Sequence, residues 1–202
     1  MGRSVERSSS CSHKRNSESI EDSQPIAAIQ TGDSSRLVVL HGDVNEFSIS
    51  MVVAQMLHLA SLNHKPIHLI ISTYGGSVDE MFTLYDTIKF LPCPVHTIAL
   101  GKVMSAGVLL LASGTKGKRM IGRSARIMMH PVSGGAVGNV FEVMNDTKEY
   151  KRLQTQMVDS IVRETKSSRE EIQKIMTSGH DCYILPEQAI KMGIVDKIIG
   201  DD

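Results

Sequence analysis

The sequence contains no tryptophan, and only 4% of its 202 residues are aromatic. A chain so poor in aromatic rings lacks the stacking platform on which single-stranded nucleic acid is bound. Net charge is missing as well. Lys+Arg number 22 and Asp+Glu number 22, for a formal net charge of zero, so nothing draws the chain as a whole toward nucleic acid or an anionic membrane. Cysteine is scarce: Cys11, Cys93 and Cys182 are an odd count without CxxC spacing. That excludes a disulfide framework and a thiolate zinc site, and it points to a reducing compartment. His58, His64 and His68 fall close together, but the last lies in a strand-like run after Pro66, so they read as scattered surface or boundary residues. No metal and no cofactor is expected. The longest oily run is broken by Lys102 and is too short to span a bilayer. The start, "MGRSVERSSSCSHKRNSESIEDSQP", has no apolar core of a secretory signal, and Glu6 stands where myristoylation needs Ser or Thr. The expectation is a soluble, cytoplasmic protein with a disordered polar tail over residues 1–30 and one domain over residues 31–202.

What is present is a rhythm. "RLVVLHG" reads as a strand ended by Gly42. Residues 47–62 then place Ile49, Val52, Val53, Met56, Leu57 and Ala60 on one helical stripe. "PIHLIIS" is the next strand, followed by Tyr74-Gly75-Gly76 and a helix from Ser77 to Phe90. "PVHTIAL" is a third strand, and "VMSAGVLLLASG" (103–114) looks like the buried helix after it. Strand then helix, three times over, predicts an α/β fold with a parallel sheet covered by helices. Beyond Lys116 come the short strands "KRMIG" and "RIMMHP", the glycine-rich extended "VSGGAVG", and a long helix over 139–165 with an incomplete apolar stripe. Ser168 to Glu171 is a capping box opening a short helix. "CYIL", a helix from Pro186 stopped by Gly193, and a last strand "IVDKII" close the chain.

Three polar residues stand in apolar surroundings. Ser105 opens a helix, His130 ends the strand "RIMMH", and Asp181 precedes "CYIL". A serine needs a base to remove its proton, and the base needs a carboxylate to fix its tautomer. Gly75-Gly76 after a strand lets backbone approach a bound carbonyl, and the Gly76 N–H could donate to an oxyanion. Each residue alone has an ordinary reading: a packing serine, a strand-end histidine, a solvated loop acid. Val103 occupies the first glycine position of G-x-S-x-G, and the order Ser, His, Asp is not that of the α/β-hydrolases, so their elbow is disfavoured. "GTKGKR" fails as a P-loop. Patterning by itself stops at an α/β domain with a hydrolytic option.

From Leu37 to the end, the chain closely resembles the ClpP family of self-compartmentalised serine proteases. The pieces that carry the likeness are "GGSV", the Ser-x-Gly helix start, "GTKGKR", "MMHP" followed by Gly-Gly, and "LPEQAIKMGIVDKI". The resemblance implies a crotonase-like spiral of β-β-α units with a protruding handle helix. It implies a catalytic Ser105, His130 and Asp181, with the backbone N–H groups of Gly76 and Ala106 as oxyanion donors. Gly134 and Gly135 would belong to a strand that binds peptide by β-addition. It also implies two stacked heptameric rings of this chain, a AAA+ Clp ATPase as partner, and polypeptide substrates. The sequence departs from the family's pattern in places. Ala106 replaces a usual Met, His68 and Ile70 replace aromatic residues, and His180 and Cys182 flank the acid where arginines are common. "HPVSGGAVGNV" is also similar to phage prohead maturation proteases of the same fold. Two rivals share the spiral: an inactive structural ring subunit, against which the presence of Ser105, His130 and Asp181 stands, and a crotonase-type acyl-CoA enzyme, whose usual catalytic carboxylates have no clear match here. Should Asp181 not be the acid, Asp79 and Asp196 come next.

Overall fold

The structure, a computed structural model, describes residues 36–200; the polar tail expected over residues 1–30 lies outside the described residues. The three strand–helix units form as the patterning predicts: β1 (Leu37–His41), α1 (Glu46–Leu62), β2 (Ile67–Thr73), α2 (Val78–Phe90), β3 (Val95–Met104) and α3 (Ala106–Ala112). In β2 the buried Ile67, Leu69, Ile71 and Thr73 alternate with half-buried His68, Ile70 and Ser72, so one face meets the core. The strands pair in parallel, with Val39 beside Ile70 and Ile70 beside Ile98. α1 and α2 each start where a side chain takes up an orphan amide. Asn45 and Ser48 form a reciprocal box at α1, and Ser77 accepts from the Glu80 N–H at α2. On α1 the inward residues are Ile49, Val52, Met56, Leu59 and Ala60, whereas Leu57 is 42% exposed. Near the helix end the stripe therefore takes Leu59 in place of the predicted Leu57.

β3 is longer than "PVHTIAL" suggested, and it serves two partners. Ile98 and Ala99 pair with β4 (Met120–Ile121), while Lys102 to Met104 pair with β5 (Arg126–Met129). Gly101, at φ +68°, lies between the two sets. Val103 and Met104 are thus strand rather than helix, because Val103 is held between Thr73 and Ile127. The helix proper begins at Ala106. It is apolar all round, all seven of its residues are buried, and it sits inside the core rather than on its surface. Burying each of Leu109, Leu110 and Leu111 contributes about 1.5–3 kcal/mol.

The remaining elements are α4 (Val140–Glu164), α5 (Arg169–Met176), β6 (Cys182–Ile184), α6 (Pro186–Met192) and β7 (Lys197–Ile198). β7 pairs with β4 in parallel, and β6 pairs with β5 antiparallel. The expected final strand over "IVDKII" shrinks to two residues, because Asp196 leaves the strand pattern to bind Arg119. Asn139 and Glu142 cap α4 reciprocally. Only its second half is buried, through Met157, Val158, Ser160, Ile161 and Glu164; Val140 (70% exposed), Phe141 and Met144 find no cover within the described residues.

The buried end of α4 is fixed by charge. The Glu164 carboxylate accepts from the Tyr85 hydroxyl at 2.9 Å and pairs with Lys89 at 2.8 Å and Lys116 at 3.3 Å. Burial pushes its pKa up, but the hydrogen bonds from Lys89 and Tyr85 and the two lysine charges outweigh that, and the net shift is downward. Arg119, 2% exposed, donates to the carbonyls of Ala112 and Glu164 and forks onto Asp196. α4 is thereby tied to α2, α3 and β4 at one end and left free at the other.

Candidate active site

The site begins at the end of β2. The Gly75 N–H donates to Thr73 Oγ1 at 2.9 Å, and the chain then passes through Gly75 (φ +103°) and Gly76 (φ +150°) into α2. Side chains are excluded here. A Cβ on Gly76 would lie 2.2 Å from the Val44 carbonyl oxygen, and one on Gly75 would lie 2.6 Å from Ser105 Cβ. Val44 grips the turn on both sides: its N–H donates to the Gly75 carbonyl and its carbonyl accepts from the Ser77 N–H, each at 2.8 Å. The Gly76 N–H between them has no acceptor among the described residues and faces a cleft.

Ser105 sits on the turn between β3 and α3. Its N–H donates to the Met128 carbonyl at 2.8 Å, and its own carbonyl accepts from the Val108 N–H at 3.0 Å. Its φ of +52° with ψ of −121° is the one positive φ of a non-glycine residue among the described residues. Such a conformation costs about 1–3 kcal/mol and persists only where the surroundings over-determine it. The sequence predicted a serine in a first helical turn. What the structure has is a sharp strand-to-helix elbow, without the leading glycine that the G-x-S-x-G pattern would have announced. The elbow lies directly against Gly75, where no side chain would fit, and Met104 pairs with Met128 just ahead of it. The Ala106 N–H, immediately after the serine, also has no acceptor among the described residues.

His130 follows the last residue of β5. Its Nε2 lies 2.8 Å from Ser105 Oγ, across 25 residues of chain. β3 delivers the serine and β5, its neighbour, delivers the imidazole, so the contact follows from strand pairing. Together with Gly76, Ala106, Val78 and Met157, these two line a small cleft of about 30 Å³. A much larger groove of about 610 Å³ between β1 and α1 contains none of these side chains.

Asp181 is placed by register but not by contact. The β5–β6 ladder pairs Ile127 with Ile184, Met128 with Tyr183 and Met129 with Cys182. One step further sets His130 opposite Asp181. Asp181 is nevertheless exposed and forms no hydrogen bond among the described residues. Of the other acids, Asp196 is committed to Arg119, which holds its carboxyl below the usual range despite partial burial, and Asp79 is exposed in the first turn of α2.

Gly134 and Gly135 lie in an exposed segment after His130 that pairs with no strand. α4 holds it through two residues that periodicity did not single out. Gln154 Oε1 accepts from the Val132 N–H, and the Tyr150 hydroxyl donates to the Gly135 carbonyl, both at 2.7 Å. Their four-residue spacing on the helix was visible in the sequence, but nothing there said what they face.

Among the described residues no cluster of three or more His, Cys, Asp or Glu could hold a metal, and no helix is long and apolar enough to cross a membrane. His68 instead packs edge-on against His96, with ring centroids 4.9 Å apart. The α/β architecture, the parallel sheet and the long, half-uncovered helix all agree with one family. The model of the Clp protease family matches residues 22–202, and the chain belongs to that family of ClpP-type peptidases.

Proposed function

We propose that this chain is the proteolytic subunit of a ring-forming serine endopeptidase, with Ser105 as nucleophile, His130 as base and Asp181 as orienting acid. The observation that carries the reading is the 2.8 Å contact between Ser105 Oγ and His130 Nε2. With Nε2 unprotonated, the hydroxyl donates to it. As Oγ attacks a peptide carbonyl, the proton moves to Nε2 and the carbonyl electrons move onto oxygen. The free N–H groups of Gly76 and Ala106 receive that oxyanion, an interaction for which one donor is typically worth about 10²–10³ in rate. Collapse expels the amine, which takes the proton from Nε2 and leaves an acyl group on Ser105. Water, deprotonated by the same imidazole, then releases the acid. Asp181 orients the ring through Nδ1–H, and the exposed Gly134-Gly135 segment receives the substrate as an added strand.

In keeping with the family, the subunits stack as two seven-membered rings and receive unfolded polypeptide from a AAA+ Clp ATPase. Intact-mass detection of a fluorophosphonate adduct tests the chemistry. One adduct is expected on the native chain and none on Ser105→Ala. An adduct that survives the substitution refutes the assignment of the nucleophile.

A further inference from the structure

The segment from Pro131 to Gly138 belongs to no sheet, and yet it is held. Of its peptide groups, two are taken up by α4. The Val132 N–H goes to Gln154 Oε1 and the Gly135 carbonyl goes to the Tyr150 hydroxyl. The peptide groups of Ser133 and Gly134, between these two ties, form no hydrogen bond among the described residues and are exposed. Gly134 lies so close to the Tyr150 ring that a Cβ there would stand 2.6 Å from Cζ, so the ring sets the height of the backbone as well as its end. Gln154 is itself anchored, since its Nε2 donates to the Met176 carbonyl at the end of α5 at 3.0 Å. His130 directly precedes the segment, so its path also fixes where a bound chain runs relative to the imidazole.

We infer that Tyr150 and Gln154 are positioning residues that hold the Val132–Gly135 segment straight at both ends and leave the Ser133 and Gly134 peptide groups free to pair with a substrate strand. This rests on the reading of Ser105 and its neighbours as a peptidase site. The physical reason is entropic. An unpaired glycine-rich segment populates many conformations, and ordering each residue costs about 1–2 kcal/mol. A segment ordered beforehand by α4 does not charge that cost against substrate binding. The gain scales with the number of substrate residues that pair, so it appears in KM for long peptides and not in attack on a small reagent.

The test uses the full-length chain, with Tyr150→Phe and Gln154→Ala as variants and a series of peptides of increasing length as substrates. Tyr150→Phe keeps the ring against Gly134 and removes the hydroxyl alone. Each variant is expected to raise KM for the long peptides about three- to tenfold, the size of one lost hydrogen bond. kcat, and the rate of fluorophosphonate labelling of Ser105, should stay near wild type. Gln154→Glu keeps an acceptor for the Val132 N–H and loses the donor to Met176, so it should restore KM; a variant as impaired as Gln154→Ala would assign the residue to bracing α5 instead. If the wild-type chain cleaves and the variants show unchanged KM at every length, the clamp is refuted while the peptidase reading stands. If the wild-type chain neither labels nor cleaves, the peptidase reading falls and the clamp falls with it.

Discussion

Gly75 offers the most direct test of how Ser105 is held. A methyl group there would stand 2.6 Å from Ser105 Cβ, 3.0 Å from the Met104 carbonyl oxygen and 3.2 Å from the Ala106 N, whereas ordinary contact begins at 3.4 Å. Two of the three obstacles are backbone and the third is the Cβ of Ser105, so no flexible side-chain end can yield. The elbow must retreat by about 0.8 Å, and a displacement of that order typically costs about 10²-fold in rate. Gly75→Ala also forces an L-residue to φ +103°, at about 1–3 kcal/mol, with overpacking adding a similar amount. Gly117→Ala separates the two effects, because Gly117 has φ +80° and open space around its missing Cβ. Gly117→Ala should lower Tm modestly and leave fluorophosphonate labelling untouched. Gly75→Ala should lower Tm further and slow labelling about a hundredfold. Equal labelling rates in the two variants would refute the claim that the glycine turn and the serine elbow press on one another.

Two further expectations concern the acid and the buried support of α4. Asp181→Asn should cut kcat by about 10²–10⁴-fold with KM little changed, through loss of the correct imidazole tautomer; unchanged kinetics in a peptide assay would mean that Ser105 and His130 act as a pair without it. Glu164→Gln should cost about 1–2 kcal/mol at pH 7, because Lys89 and Lys116 lose their counter-charge but, at 39% and 55% side-chain exposure, can turn to water. For a chain of this size that is roughly 2–8 °C in Tm. Since the folded-state pKa of Glu164 lies below 4.5, its contribution is complete above about pH 4.5 and is lost as the pH falls through the lower folded value. Thermal melts of the two proteins should converge in acid, and a gap independent of pH would count against the charge argument.

The strand–helix alternation was legible because burial follows short periods. Ile67, Leu69 and Ile71 on one strand face and Ile49, Val52 and Met56 on one helix face each announce themselves. Caps were legible for the same local reason, as Ser168 and Glu171 show. The elbow at Ser105 was not. Its positive φ accompanies close packing on Gly75, thirty residues away in the chain, and no pattern near Ser105 encodes it. The branching of β3 was equally hidden, because pairing Ile98 with one strand and Val103 with another is a property of the sheet and not of the run "VHTIALGKVM". His130 and Asp181 were chosen as chemistry-bearing residues in apolar surroundings. The antiparallel ladder of β5 with β6, which ends at Met129 and Cys182, brings their two stretches of chain side by side, and it could not be read from either strand alone. Tyr150 and Gln154 escaped notice because helical spacing says which residues share a face but not what lies across from it.

The strained conformation of Ser105 also depends on distant parts of the chain. A chain emerging from synthesis holds no residue at φ +52° without the contacts that compel it, and those contacts come from Gly75, Met104 and Met128, on three separate strand ends. Without the closed sheet around β3, an ordinary backbone angle is the favoured one at this serine. On the proposed reading, the reactivity of Ser105 is therefore a property of the closed sheet and not of the local sequence around it.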